Sequence, residues 1–313
     1  MLDYTAGNYL TFGYGGRVFG DKQVGDSVQY NFTPCTRTPG SFQEECRRTA
    51  ELIYQQAVEQ GREVYVLVSG GLDSVAMVKG FVEAGIPFKT ATYSFKHGLS
   101  EHELEHVRDL VQLHSLNHTY LEIDAEAWLV GSEAHEWFHK TNCCELGTLP
   151  LMKLMQHVSE NLNGLPVFGG GDIDVIKENG VWFYSRFESF LSRYWFSERF
   201  GLSAFISFFQ HTPEIVLSAL QEPEICKAGM GLDSMANAVL NELKIVKYRA
   251  MHRIWPGLKR RPKWGGTEQI HHKIIHTELA WQKERQVRFD ETWKVPFADF
   301  VKSLQALEGM ASC

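Results

Sequence analysis

The spacing of apolar positions changes along the chain, and those changes mark its elements. From about Ser41 to Gln60 apolar and small residues recur with helical period, with Cys46, Ala50, Leu52, Ile53 and Ala57 as the expected inner stripe and Gly61 as the stop. Glu63–Val68 is a short apolar run of buried-strand character. A glycine-rich loop follows, then a helix from about Asp73 to Ala84, closed by Gly85 with Pro87 just beyond. The alternation continues: strand over Phe88–Phe95, helix over Glu101–His114, strand over His118–Asp124, helix over Leu149–Asn161. A last strand, Leu165–Phe168, runs into Gly169-Gly170-Gly171.

This alternation predicts an α/β fold, a Rossmann-like parallel sheet with helices on both faces. Residues 1–40, rich in Gly, Tyr, Thr and Phe, predict short strands and loops laid on the main domain. Beyond about Gly180 the pattern turns aromatic and mainly helical. The expected organisation is therefore an N-terminal extension over 1–60, a central α/β domain over 61–180 and a mainly helical C-terminal region over 181–313. In open parallel sheets ligands bind outside the carboxyl ends of the strands, and both glycine-rich loops fall there.

Composition narrows the function class. A net charge of -7 argues against nucleic acid or a membrane surface as a general partner. The cysteines at 35, 46, 143, 144, 226 and 313 form no C-x-x-C pair, which fits a reducing compartment. Met1-Leu2-Asp3-Tyr4 opens no signal-like segment, and no apolar run reaches about 18 residues. The expectation is a soluble cytoplasmic protein with no membrane partner.

The loop Val68-Ser69-Gly70-Gly71-Leu72-Asp73-Ser74 carries the chemistry. The strand points it out of the sheet, and the two glycines let successive N–H groups converge on one anion. The following helix aims its positive end at the same point, with Ser69 and Ser74 as hydroxyl donors. Asp73 would repel a bare phosphate, so a divalent cation between them is expected. No G-x-x-x-x-G-K-[ST] occurs, so this is not a Walker loop. The alternative is a tight turn with Asp73 or Ser74 as N-cap.

Ser-Gly-Gly-x-Asp-Ser between a buried strand and a helix resembles the signature of the PP-loop ATP pyrophosphatases. That resemblance implies an adenine nucleotide alpha-hydrolase-like fold and ATP cleaved between its α- and β-phosphates. Further along, the chain resembles the synthetase domain of asparagine synthetase and the β-lactam synthetases. Thr92-Tyr93-Ser94-Phe95 resembles the strand end that receives adenine, and Leu149-Pro150-Leu151-Met152-Lys153-Leu154 the helix before the second glycine loop. In Gly169-Gly170-Gly171-Asp172-Ile173-Asp174 the resemblance implies pyrophosphate contacts at Gly170 and Gly171 and a magnesium ligand at Asp172, with Asp174 as the alternative. Phe208–Glu214 resembles the segment the family carries before a helix. Lys244–Lys263 holds eight Lys and Arg residues and no acidic one, and its end resembles the family's R-x-K-x-G motif. The resemblance implies catalytic roles for Arg261 and Lys263, the lysine reaching the phosphates. A fixed cation suits the charge that builds on the phosphoryl oxygens.

The resemblance thus implies an AMP- and pyrophosphate-forming ligase that uses ATP and magnesium to adenylate a small-molecule carboxylate for attack by a nitrogen donor. Position 2 is Leu, not the cysteine nucleophile of a glutaminase, and only about 60 residues precede the loop. Nitrogen is then expected as ammonia, as an amine, or from a separate glutaminase. The alternative is a PP-loop enzyme that thiolates or aminates a nucleobase through an adenylated carbonyl, for which Cys143-Cys144 would be the sulfur carrier. A third reading is a non-catalytic nucleotide-binding protein. Gly231–Ala236 echoes the loop without a preceding strand, His271, His272 and His276 lack a third ligand type, and the aromatic run Trp182–Phe209 reads as packing.

Overall fold

The computed structural model describes residues 10–18, 20–129, 131–143, 147–169, 175–202, 206–229, 249–256 and 291–305. The chain begins with β1 (Leu10–Tyr14), β2 (Arg17–Val18) and β3 (Val28–Phe32), an antiparallel sheet in the order β2-β1-β3. Helix α1 (Phe42–Glu59) is started by a capping box, the Ser41 side chain on the Glu44 N–H and the Glu44 side chain on the Ser41 N–H. Its Cys46, Ala50, Ile53 and Ala57 are fully buried. Leu52, expected in that stripe, is 42% exposed, because the inward arc is taken by Phe42, Glu45 and Thr49 instead. Although grouped with the extension by sequence, α1 packs on the main sheet and its helices.

The main sheet is parallel, ordered β10-β7-β4-β5-β6. It comprises β4 (Glu63–Leu67), β5 (Lys89–Phe95), β6 (His118–Ile123), β7 (Gly164–Phe168) and β10 (Ile206–Ser207). Helix α2 (Leu72–Ala84) joins β4 to β5, and α3 (Glu101–Leu113) joins β5 to β6. Between β6 and β7 come α4 (Ala125–Leu129), α5 (Ser132–Thr141) and α6 (Thr148–Asn161). The chain thus moves outward from β4 through β5 to β6, then crosses back to place β7 on β4's other side. Right-handed crossovers put α2 and α6 on opposite faces, giving the doubly wound Rossmann-like architecture expected.

After β7 the described residues are mainly helical as expected, but a small sheet that the sequence reading did not place comes with them. β8 (Val175–Glu178) and β9 (Val181–Phe187) form a hairpin across Asn179-Gly180, both with positive φ (48° and 82°). This is the two-residue Asn-Gly turn that matches strand twist, followed by β-forming aromatics. β11 (Thr292–Pro296) pairs antiparallel with β9, making a third sheet ordered β11-β9-β8. Helices α7 (Ser192–Arg199), α8 (Pro213–Leu220) and α9 (Pro223–Gly229) follow in this part of the chain, with a last helix over Phe297–Leu304. Tyr184 stacks on Phe300 at 3.9 Å, and Phe12 of the first sheet packs on Tyr194 and Trp195 of α7 at 5.2 and 5.7 Å.

The loop before α1 is held by charge. Glu45, 1% exposed, accepts from Arg37 at 2.7 and 2.5 Å, from Arg48 at 2.7 Å and from the Gly40 N–H at 2.7 Å. Burial alone would raise its carboxyl; the Arg37 and Gly40 hydrogen bonds and the Arg48 charge outweigh it and hold the group below the usual carboxylate value. A lowered folded value stabilises the fold fully above the unfolded pKa, and the contribution is lost as pH falls through the folded value. Glu45→Gln should therefore cost about 1–3 kcal/mol at neutral pH. The deficit against wild type should shrink as pH is stepped down below about 4. Urea unfolding across that range checks both.

Candidate functional site

β4 delivers the loop while still bonded to the sheet, the Val68 N–H donating to Ala91 O at 2.9 Å. Gly70 then turns into the left-handed region, φ 69°. A Cβ there would stand 2.9 Å from His106 Cβ and 3.1 Å from the Glu103 carbonyl oxygen, so α3 closes on the loop where only glycine fits. Gly71 is the N-cap of α2 and offers no side chain, which corrects the alternative that Asp73 or Ser74 caps it. The helix therefore presents its first-turn N–H groups outward. The Ser74 hydroxyl donates to Gly71 O at 2.9 Å and accepts the Ser69 N–H at 3.3 Å; Ser69 Oγ accepts the Gly71 N–H at 3.4 Å. In this structure the serines brace the loop, where the sequence suggested donors to a ligand.

The order of strands reverses between β4 and β7, and the two loops that leave this point meet. A Cβ on Gly169, just past β7, would lie 3.4 Å from the Asp73 carbonyl oxygen and 3.4 Å from Phe209 Cε2. Above them is a cavity of about 200 Å³. Its walls are Leu67, Val68, Ser69, Asp73 and Ser74 from the first loop, Tyr93 from β5, and Gly147, Leu151 and Leu154 at α6; Phe168, Gly169 and Arg193 close it. Asp73 Oδ1 is turned away from solvent. Arg193, on the first turn of α7, is 8% exposed, and its guanidinium carbon lies 5.1 Å from the ring centres of both Phe168 and Phe190.

Val68, Ser69, Gly70, Gly71, Leu72, Asp73 and Ser74 are thus brought together around α2's start. Leu72 is buried, so its side chain anchors the helix and only its backbone faces the site. Ser94 follows the cavity-lining Tyr93 but is not itself on the wall. Gly170, Gly171, Asp172, Asp174, Cys144, Gly231–Ala236, Arg261, Lys263, His271, His272 and His276 lie outside the described residues. Cys143 is fully buried.

Arg193 is the wall residue that sequence reasoning missed; its signal is a single cation inside an aromatic helix. Nearby, Gln210 is 7% exposed, and neither side-chain heteroatom has a partner among the described residues. Burial lowers His211 to about 3, so it stays neutral. A second cavity of about 440 Å³ opens beyond β6, where Lys153 meets Glu133 at 2.7 and 2.8 Å and Trp128 Nε1 donates to Glu133 at 2.6 Å. Among the described residues no group of three or more His, Cys, Asp or Glu could hold a metal, and no helix is long and apolar enough to cross a membrane.

No protein-family model and no curated protein matches the chain. Solved structures do. NMN synthetase from Francisella tularensis is 14% identical, with a TM-score of 0.34 over 77% of this chain and 98% of that one. Glutamine-dependent NAD+ synthetase from Acinetobacter baumannii is 12% identical, with a TM-score of 0.35 over 89% of this chain and 48% of that one. A U34-tRNA thiolase from Methanococcus maripaludis is 12% identical, with a TM-score of 0.33 over 76% and 82%. Values of this size leave the chemistry to be read from the chain's own residues.

Gly70→Ala should lower stability by about 1–3 kcal/mol, from left-handed strain and the approach of α3. Thermal unfolding beside wild type measures the loss.

Proposed function

We propose that this protein is an ATP-dependent ligase that forms AMP and pyrophosphate, adenylating a small-molecule carboxylate for attack by ammonia or an amine. The observation that carries the reading is the meeting of Asp73 and Gly169 at the switch point, beside a helix start with no side-chain cap. Such a start attracts the pyrophosphate end of ATP, and the glycines let backbone approach it closely. The resemblance of Ser69–Ser74 to the PP-loop signature supports ATP as the nucleotide.

In the reaction a substrate carboxylate oxygen attacks the α-phosphorus, the bond to the bridging oxygen of the β-phosphate breaks, and pyrophosphate leaves. The nitrogen lone pair then attacks the acyl carbon, AMP departs, and the nitrogen's proton passes to solvent. This chain's residues hold the phosphates in line and exclude water, which lowers the entropic barrier. Asp73 fits a magnesium ion, a hard carboxylate oxygen beside an anion site. Asp172, or Asp174, is the second carboxylate in this reading. When bound, the ion neutralises the pyrophosphate. Lys263 and Arg261 are assigned to the charge that develops on the phosphoryl oxygens. Nitrogen comes as ammonia or an amine, with a separate glutaminase as a candidate partner. Cys35 and Cys46 are buried free thiols, which supports a cytoplasmic setting. The charge of -7 and the burial of Cys143 weigh against a sulfur-transferring reading with nucleic acid as substrate.

Incubation with magnesium, ATP and a panel of small carboxylic acids should give acid-dependent exchange of labelled pyrophosphate into ATP, with AMP as product once an amine is added. Asp73→Asn should reduce the exchange on the order of 100-fold or more. ADP as product would sink the reading, and AMP formed only with tRNA present would replace it with nucleobase modification.

A further inference from the structure

We infer that Arg193 is a phosphate-binding residue of this site and takes the β- and γ-phosphates, the part of ATP that leaves as pyrophosphate. The inference rests on the ATP reading above and adds a residue to it that no motif marks.

Three observations converge on Arg193. It lines the cavity together with Ser69 and Asp73, so it shares one half-open space with the start of α2. That space, about 200 Å³, is smaller than the roughly 300–1,000 Å³ of pockets that enclose a drug-sized ligand. The walls described here enclose one end of a nucleotide, and the loop chemistry makes it the phosphate end. The guanidinium is also flanked by Phe168 and Phe190, each ring centre 5.1 Å from Cζ. Two aromatic rings beside the guanidinium restrict its position, while its N–H donors lie in one plane. A planar fork fixed in this way matches two oxygens of a phosphate, which a lysine cannot do.

The choice of phosphates follows from chain geometry. Phe168 ends β7, and Gly169 beside it touches Asp73, so Arg193 reaches the cavity from the β7 side. The adenine end is expected at the end of β5, on the other side of β4. The nucleotide then lies across β4, with its terminal phosphates nearest α7. A cation there meets charge that grows as the bond to the bridging oxygen breaks.

Calorimetric titration of the full chain with inorganic pyrophosphate, ATP and AMP, each with magnesium, tests this on wild type, Arg193→Met and Arg193→Lys. Arg193→Met should weaken pyrophosphate and ATP by about 10- to 100-fold while AMP changes by less than threefold. Arg193→Lys keeps the charge without the fork and should weaken both by at least fivefold; it decides the question if the methionine variant fails to fold. A folded Arg193→Lys within twofold of wild type for pyrophosphate would overturn the assignment and leave the ATP reading standing. So would equal losses for AMP and pyrophosphate. A wild-type protein that binds neither ATP nor pyrophosphate would overturn both readings.

Discussion

Everything at the carboxyl edge of the main sheet is arranged around the close approach of two backbones. Gly169 lies against the Asp73 carbonyl because β4 and β7 are neighbours whose following segments leave in opposite directions. A crevice forms at such a point without any side chain having to create it. Gly70 follows from this constraint, since it must turn left-handed under α3, while a Cβ on Gly169 would just touch the first loop at 3.4 Å. Ser69 and Ser74 then brace the loop, and the helix start carries no side-chain cap.

The other half of the site depends on packing far from it. Helix α7 carries Arg193 on one side and Tyr194 and Trp195 on the other, and these two rings receive Phe12 from the first sheet. Ahead of α7, Glu188 is 2% exposed and binds Lys22 at 2.9 Å, while Glu291 binds the same lysine at 3.3 Å. Glu291 also accepts the Val28 N–H at 2.9 Å. Such a cluster is costly to break, since Glu188 without Lys22 would be an unpaired buried charge.

The parallel sheet was legible because buried strands and amphipathic helices differ in period and length. Apart from α4 and α5, which that pattern did not place, the elements from Glu63 to Phe168 fall within a residue or two of the expected positions. The hairpin at Asn179-Gly180 was not read, because its aromatic strand Val181–Phe187 passes for a helix face when only apolar density is weighed. The two-residue strand Ile206–Ser207 is too short for any periodicity. The glycine loop announced itself because its chemistry is local. Arg193 did not, because its meaning comes from Phe168, twenty-five positions earlier in the sequence, and from a cavity built by six separate elements.

The ion cluster at Lys22 also sets an order of assembly. Strands β4 to β7 and the helices between them draw on one continuous stretch of about a hundred residues, so their contacts close short loops and form early. The cluster joins Lys22 to Glu291, a separation of 269 residues. On a ribosome the Ser69–Ser74 loop can be in place long before Glu291 has emerged. The corner that holds Arg193 is fully secured only once both ends of this span have come together, so the cavity would be assembled in two stages, its backbone half first and its guanidinium half last.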